Sequence, residues 1–294
     1  MPESNSREHA GNAEESTPMK RALLHGLCVV AFYTLLFVVF FAPVLFSDYL
    51  LAPGDGILYF LPNFYARRVW WDVSVWGGFP AVGDSQLMLW YPPAILFSLV
   101  KSWNGFLLSA YVLAASFTYA YVYALTRSRF AATLGGICYG MSGFIIAHLG
   151  HAALVHAAAW LPLFILSLEM LARRSIGASH GDDESRGDEL HGGGESRGGG
   201  EPRSGVTSRS VGEWRLGFSS FWFAVATLTV ACCALAGHPQ IFVYMLALGG
   251  AFALVRGWHI TGRARWLYYF LSALLVLTGT GIACVQLVPT AELA

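Results

Sequence analysis

The chain has 294 residues, 55% of them apolar and only 12% charged, with a formal net charge of zero. An ordinary soluble domain is about 25% charged, whereas here the mean hydropathy is +0.53 and 43 residues are Trp, Tyr or Phe. These figures exclude a disordered chain, a nucleic-acid binder and a small disulfide scaffold, and they point to an all-α, polytopic helical membrane protein.

In chain order, a polar tail over residues 1–18 is expected to be disordered and cytoplasmic. It is followed by a first apolar run, Ala22–Phe46, preceded by Lys20 and Arg21. That run is too long for the apolar part of a signal peptide, and no small-residue cleavage site follows it, so it reads as an uncleaved span. Further runs at Gly105–Leu125, Ala131–Leu149, Ala152–Leu171, Leu216–Leu235, Ile241–Val255 and Trp266–Val288 bring the expected number of transmembrane helices to about seven. The apolar stretch Leu87–Val100 is short and broken by Pro92 and Pro93, which suits a re-entrant or interfacial segment. The transmembrane regions thus cover 19–174 and 216–294, separated by a Gly-, Ser-, Glu- and Arg-rich stretch over 175–215. That stretch has too few apolar residues to offset its ordering entropy, and it is expected to be a disordered cytoplasmic loop. The chain stops just beyond a span, as a fragment would.

Basic residues in the short loops set the orientation. With the N-terminus in the cytoplasm of a cell-membrane protein, Lys20, Arg21, Arg127, Arg129, Arg173, Arg174, Arg215, Arg256, Arg263 and Arg265 all fall inside, and only Arg67, Arg68 and Lys101 fall outside. The five cysteines lie in apolar runs without a C-x-x-C pair and read as buried small apolar residues.

Acidic residues are the most informative feature. Twelve of the 18 lie in the tail or in the 175–215 stretch, and four of the remaining six, Asp48, Asp55, Asp72 and Asp84, crowd the first outside loop, 47–104. This loop carries two Gly-Asp pairs, Gly54-Asp55 and Gly83-Asp84, with Arg67 and Arg68 between them. Trp70, Trp71, Trp76, Trp90 and Trp103 suit a membrane interface. A carboxylate can take the proton of an acceptor hydroxyl, and an arginine pair can hold a phosphate through charge-assisted bonds. Together they suit transfer from a lipid-linked phosphosugar, with membrane lipids alongside. The competing reading is that Asp55 and Asp84 simply form turns, because Asp bonds its own backbone there. A divalent cation bridged by the two carboxylates is a further option; no other cofactor is indicated.

Several short motifs occur in a suggestive order: Pro53-Gly54-Asp55 after the first span, Trp76-Gly77-Gly78-Phe79-Pro80, Tyr91-Pro92-Pro93, the small-residue span Gly135–Phe144, Ala236-Gly237-His238-Pro239-Gln240, and Gln286-Leu287-Val288-Pro289-Thr290. In this order the chain resembles the bacterial YfhO-type membrane proteins, which belong among the GT-C-like glycosyltransferases. The resemblance implies a GT-C-like fold with an extracytoplasmic active site, a polyprenyl-phosphate sugar donor and a cell-envelope glycan acceptor. It implies Asp55 as catalytic base and adds His238 and Gln240 to Arg67 and Arg68 as substrate-binding residues; Asp84 of the same loop is the second catalytic candidate. Members of that family are longer, and the polar stretch after Arg174 reads as an insertion.

His148, His151 and His156 cluster around an expected outside turn, where they read as backbone-bonded interface residues rather than metal ligands. The glycines of the 131–143 segment read as helix-packing positions. Two other classes stay open: a lipid or glycan transporter, which would carry paired ionisable residues near the bilayer midplane, and a non-catalytic envelope assembly protein that uses the loop for docking.

Overall fold

The computed structural model describes residues 4–66, 70–73, 77–191 and 208–293, of which 4–19 and 177–219 are described by their backbone alone. Among the described residues the chain is helical with no strand; one isolated antiparallel bridge joins Asp72 to Phe79. The helices are α1 (Ser4–Phe40), α2 (Ala42–Leu45), α3 (Leu61–Tyr65), α4 (Pro92–Leu99), α5 (Trp103–Thr126), α6 (Arg129–Gly140), α7 (Gly143–Ala147), α8 (Ala152–Ala159), α9 (Leu161–His191), α10 (Ser208–Leu235), α11 (Pro239–Trp258) and α12 (Gly262–Leu293). Of the expected polar stretch 175–215, α9 continues through residues 175–191, and residues 192–207 lie outside the described part.

Among the described residues, six segments are long and apolar enough to cross a bilayer: Lys20–Phe40, Trp103–Thr126, Arg129–Ala147, Ala152–Ile176, Pro239–Trp258 and Gly262–Leu293. The other expected span, Leu216–Leu235, contributes only the shorter apolar helix Ser220–Leu235, since its first side chains fall outside the described residues. Two spans are compound. Arg129–Ala147 breaks at Met141, and Ala152–Ile176 has a junction at Trp160 between α8 and α9. Serine hydroxyls cap the starts that follow tight turns: Ser102, Ser128 and Ser142 accept from the amides of Gly105, Ala131 and Ile145. Pro92 and Pro93 open α4, where a missing amide costs nothing.

Ala152–Ile176 forms the centre: 78% of its most apolar stretch is buried inside the protein, against 11% for Lys20–Phe40. The outer helices turn large apolar side chains outward instead, among them Leu23, Leu35 and Val39 on α1 and Leu277 and Ile282 on α12. Water would penalise such a surface and hydrocarbon would not. The packing expectation for α6 holds at Gly136 and Gly140. A methyl group at Gly136 would meet the Tyr33 hydroxyl at 2.1 Å and the Ala115 carbonyl at 2.7 Å, so α6 lies directly on α1 and α5. Gly143 has open space instead.

The alternating chain direction puts Lys20, Arg127, Arg129, Arg173, Arg256 and Arg263 at one end of the bundle and the 47–104 loop at the other. At the arginine end, Glu169 is buried. One of its carboxylate oxygens accepts from Arg173 Nε at 2.7 Å, and the other accepts from Arg256 Nε at 2.7 Å. Arg173 also donates to the Ala124 carbonyl at 3.0 Å. This cluster ties α5, α9 and α11 together.

The cysteine expectation holds only in part: Cys233 is buried, whereas Cys28, Cys138 and Cys284 face outward among the exposed apolar side chains. The aromatic expectation also divides. Trp70 and Trp71 are exposed, and Trp76 lies outside the described residues. Trp103 is 1% exposed and donates its indole N–H to the Leu51 carbonyl at 2.9 Å, so it anchors the loop to α5 rather than sitting at an interface.

Candidate functional site

Two turns of the first loop dock onto two helix-connecting turns at the loop end. The first pair joins Pro53–Gly56 to the turn between α7 and α8. Gly54 adopts a left-handed φ of +57°, which lets the chain reverse after Pro53. Asp55 then stands at the N-cap of the π-turn Gly56–Phe60. The turn fits because Gly150 has no side chain: a methyl group there would lie 2.3 Å from the Pro53 carbonyl oxygen.

The second pair joins Asp84–Gln86 to the turn between α10 and α11. Gly237, at φ +83°, packs so closely that a methyl group would lie 2.0 Å from the Ser85 carbonyl oxygen. Ser85 Oγ in turn donates to the Gly237 carbonyl at 3.2 Å. The far side of the Asp84 turn is held by α12. Gln286, 1% exposed, donates from Nε2 to the Val82 carbonyl at 2.9 Å and to Thr290 Oγ1 at 3.1 Å.

These contacts bring most of the sequence-selected residues to one end, with unequal surroundings. Asp55 is exposed, and its Oδ2 lies 3.6 Å from His151 Nδ1, a solvent-screened ion-pair distance rather than a hydrogen bond. Asp84 is half-buried. Its Oδ1 accepts from the Gln86 amide at 3.0 Å, and its Oδ2 accepts from the Tyr59 hydroxyl. The turn-forming role therefore applies to Asp84, which caps the short 3-10 turn Ser85–Leu87. Burial, together with the hydrogen bond to the Asp84 carboxylate and that group's charge, pushes the Tyr59 phenol well above its ordinary value. Tyr59 is thus a permanent neutral donor to Asp84.

His238 caps α11, its Nδ1 accepting from the Ile241 amide at 3.4 Å. Burial and the neighbouring imidazoles of His151 and His148 hold it below the usual histidine range. His148 and His151 lie with ring centroids 6.0 Å apart, and His148 Nδ1 is 2.7 Å from the Phe144 carbonyl, the backbone bond expected of an interface histidine. His156 belongs elsewhere: it is fully buried in α8, stacked on Phe106 at 4.1 Å and bonded to the Tyr91 hydroxyl at 3.1 Å.

Gln240 is exposed and donates along its own helix to the Tyr244 hydroxyl at 2.7 Å, so its amide is engaged away from the cluster. Arg67 and Arg68 lie outside the described residues. Among the described residues no three His, Cys, Asp or Glu side chains are grouped to hold a metal ion. Asp55 and Asp84, the two carboxylates proposed to bridge a cation, each face a different partner.

Beside Asp84, an open cavity of ≈ 250 Å³ is lined by Phe79, Gly83, Asp84, Ser85, Thr290 and Leu293. It lies just below the size range of small-molecule sites, about 300–1,000 Å³. Tyr59 and His151 are the site residues that sequence reasoning passes over or leaves without a role. Tyr59 carries no local signal, because its partner Asp84 lies 25 residues away. For His151 the signal is the step of three from His148.

Comparison with protein-family models, with curated proteins and with solved structures finds no significant match for this chain.

Proposed function

We propose that the chain acts as a membrane glycosyltransferase that moves a sugar from a polyprenyl-phosphate carrier to a cell-envelope glycan, on a GT-C-like scaffold of membrane-spanning helices. The observation that carries this reading is the loop-end assembly. An accessible carboxylate, Asp55, stands beside imidazoles on a loop pinned to the ends of the spans, at the level where a lipid-linked substrate would present its headgroup. Asp55 serves as the general base that removes the acceptor hydroxyl proton as the sugar leaves its phosphate. Asp84, fixed by Tyr59 and Gln86, shapes the neighbouring cavity and is a positioning residue. His238 binds substrate, together with Arg67 and Arg68 of the first loop. The activity belongs to the extracytoplasmic face of the cell membrane, with the N-terminus in the cytoplasm.

A transporter would place a functional ionisable group within the spans. The buried Glu169 is the nearest candidate, but both of its oxygens are occupied by Arg173 and Arg256, which favours a structural clamp.

The deciding experiment supplies labelled polyprenyl-phosphate sugars to membranes carrying the protein and follows label into envelope glycan, for wild type and Asp55→Asn. A general base contributes about 10²–10⁴-fold, so transfer should fall by that factor at unchanged protein level. Transfer that survives in Asp55→Asn removes Asp55 from the role, and no transfer with any donor removes the enzyme reading.

A further inference from the structure

We propose that a cleft between α9, α11 and α12, midway along the spans, binds an uncharged lipid through one of its oxygen atoms, with the hydroxyl of Ser272 as donor. The cleft shares no residue with the loop-end site and does not rest on the proposed function.

The helix sequences make the cleft. Phe164 of α9, Gly249, Gly250 and Leu254 of α11, and Ser272 and Leu277 of α12 are among the residues that line a cavity of ≈ 570 Å³, within the range of small-molecule sites, about 300–1,000 Å³. At Gly249 the α11 backbone rests on the Phe164 ring, which a methyl group would meet at 2.1 Å. At Gly250, by contrast, a methyl group would meet nothing within 4 Å. Leu254 and Leu277 are exposed on the outer face of the bundle, so the cleft opens sideways, towards the medium around the spans.

Position along the helices gives the depth. Gly250 is eleven residues from the start of α11 and eight from its end, ~16 and ~12 Å at the rise of an α-helix. Ser272 is ten residues, ~15 Å, from the start of α12. A bilayer's hydrocarbon core is about 30 Å thick, which places the cleft near its middle.

An apolar cleft at this depth accepts any hydrocarbon chain; Ser272 makes it selective. Ser272 is 9% exposed, and Tyr268, one turn back on the same face of α12, is fully buried. The two hydroxyls are neighbours, yet neither is within hydrogen-bond geometry of the other or of any described residue. Hydroxyls in helices commonly donate to a carbonyl one turn back, as Thr34, Thr118, Ser167 and Thr229 do here. Ser116 also lacks a partner, but it does not line this cavity.

A buried donor without an acceptor is unfavourable. A carbonyl or hydroxyl oxygen on a ligand relieves it, in apolar surroundings that strengthen the bond. Charge is not the recognised feature: no charged side chain lines the cavity, and a charged group at the bilayer centre is costly. Glu169, next in sequence to the lining residue Leu168, is held by Arg173 and Arg256. Phospholipids keep their oxygens at the level of the headgroups, whereas an uncharged lipid can carry its oxygen inward. A prenyl quinone offers a carbonyl there, and a prenyl alcohol offers a hydroxyl.

The test is native mass spectrometry of the full chain in detergent, titrated with decylubiquinone, farnesol or decylbenzene. Decylbenzene supplies a ring and a chain without oxygen. An oxygen-bearing lipid should bind about five-fold tighter than decylbenzene, the worth of one net hydrogen bond. Gly250→Leu has room for its side chain, fills the cleft and should abolish that binding. Gly281→Leu, on α12 with equally open surroundings and outside the lining, should bind as wild type does. Ser272→Ala should reduce the affinity to that of decylbenzene. It should also leave the ligand-free melting temperature unchanged or raised, because it removes a donor that has no partner.

Equal binding of decylbenzene overturns the proposal, as does binding that survives Gly250→Leu. A melting temperature lowered by Ser272→Ala overturns it too, by showing that the hydroxyl is paired within the folded protein. Should Gly250→Leu fail to fold, an undiminished five-fold preference in Ser272→Ala decides against the cleft. A dimer that Gly250→Leu dissolves, with no lipid bound to either form, assigns the cleft to a second copy instead of a lipid. Tighter binding of decylubiquinone supports a quinone as the natural source of the oxygen, and tighter binding of farnesol supports a prenyl alcohol.

Discussion

At the residue scale the two loop aspartates have different standing. Asp55 is exposed beside His151, whereas Asp84 is committed to Tyr59 and to its own turn. Tyr59→Phe should therefore leave Asp55-dependent transfer within a few-fold of wild type while lowering thermal stability, because the half-buried Asp84 oxygen loses its donor at a cost of about 1–3 kcal/mol. His238 has a depressed folded-state pKa, so the unfolded chain binds the proton more readily. The stability it contributes is complete above the unfolded value of about 6.5 and drains away as pH falls below it. A melting-temperature series between pH 8 and pH 5 should show a decline on the acid side that is shallower in His238→Asn. Gly237→Ala combines a left-handed φ with a 2.0 Å overlap on backbone. It should destabilise by about 2 kcal/mol or more, read by thermal unfolding in detergent.

At the element scale the α5, α9 and α11 junction depends on one buried carboxylate. Glu169→Gln should lower stability by about 2 kcal/mol, below the 3–5 kcal/mol of fully buried pairs because both arginines are partly exposed. Combining it with Arg256→Gln should cost less than the sum of the two, since each removes the same interaction. The helices themselves were largely legible in the sequence: apolar length marked six of the spans. Less legible was the splitting of single apolar runs at Met141 and Trp160. Composition does not register a bend when both halves are apolar.

At the scale of the whole molecule, basic residues gather at one end and the candidate site at the other. With the N-terminus cytoplasmic, a cysteine introduced at Asp48 should react with an impermeant maleimide in intact cells, and one at Arg127 only after permeabilisation. The reverse pattern would turn the loop end towards the cytoplasm and exclude an extracytoplasmic active site. The native cysteines facing outward among apolar side chains, Cys28, Cys138 and Cys284, should stay unlabelled in both conditions if that surface lies in lipid.

The sequence by itself determined the helical class, most of the spans and the clustering of carboxylates in one loop, because these follow from local composition and from the length an apolar helix needs to cross a bilayer. Only the tertiary structure decided which carboxylate stays accessible. Tyr59 lies 25 residues from Asp84, and Ser85 lies 152 residues from Gly237; no local pattern ties such partners together. The necessity of Gly150 and Gly237 comes from backbone of another segment, which an added methyl group would meet at 2.3 and 2.0 Å. Those contacts seat His151 beside Asp55, an arrangement set by packing between distant segments.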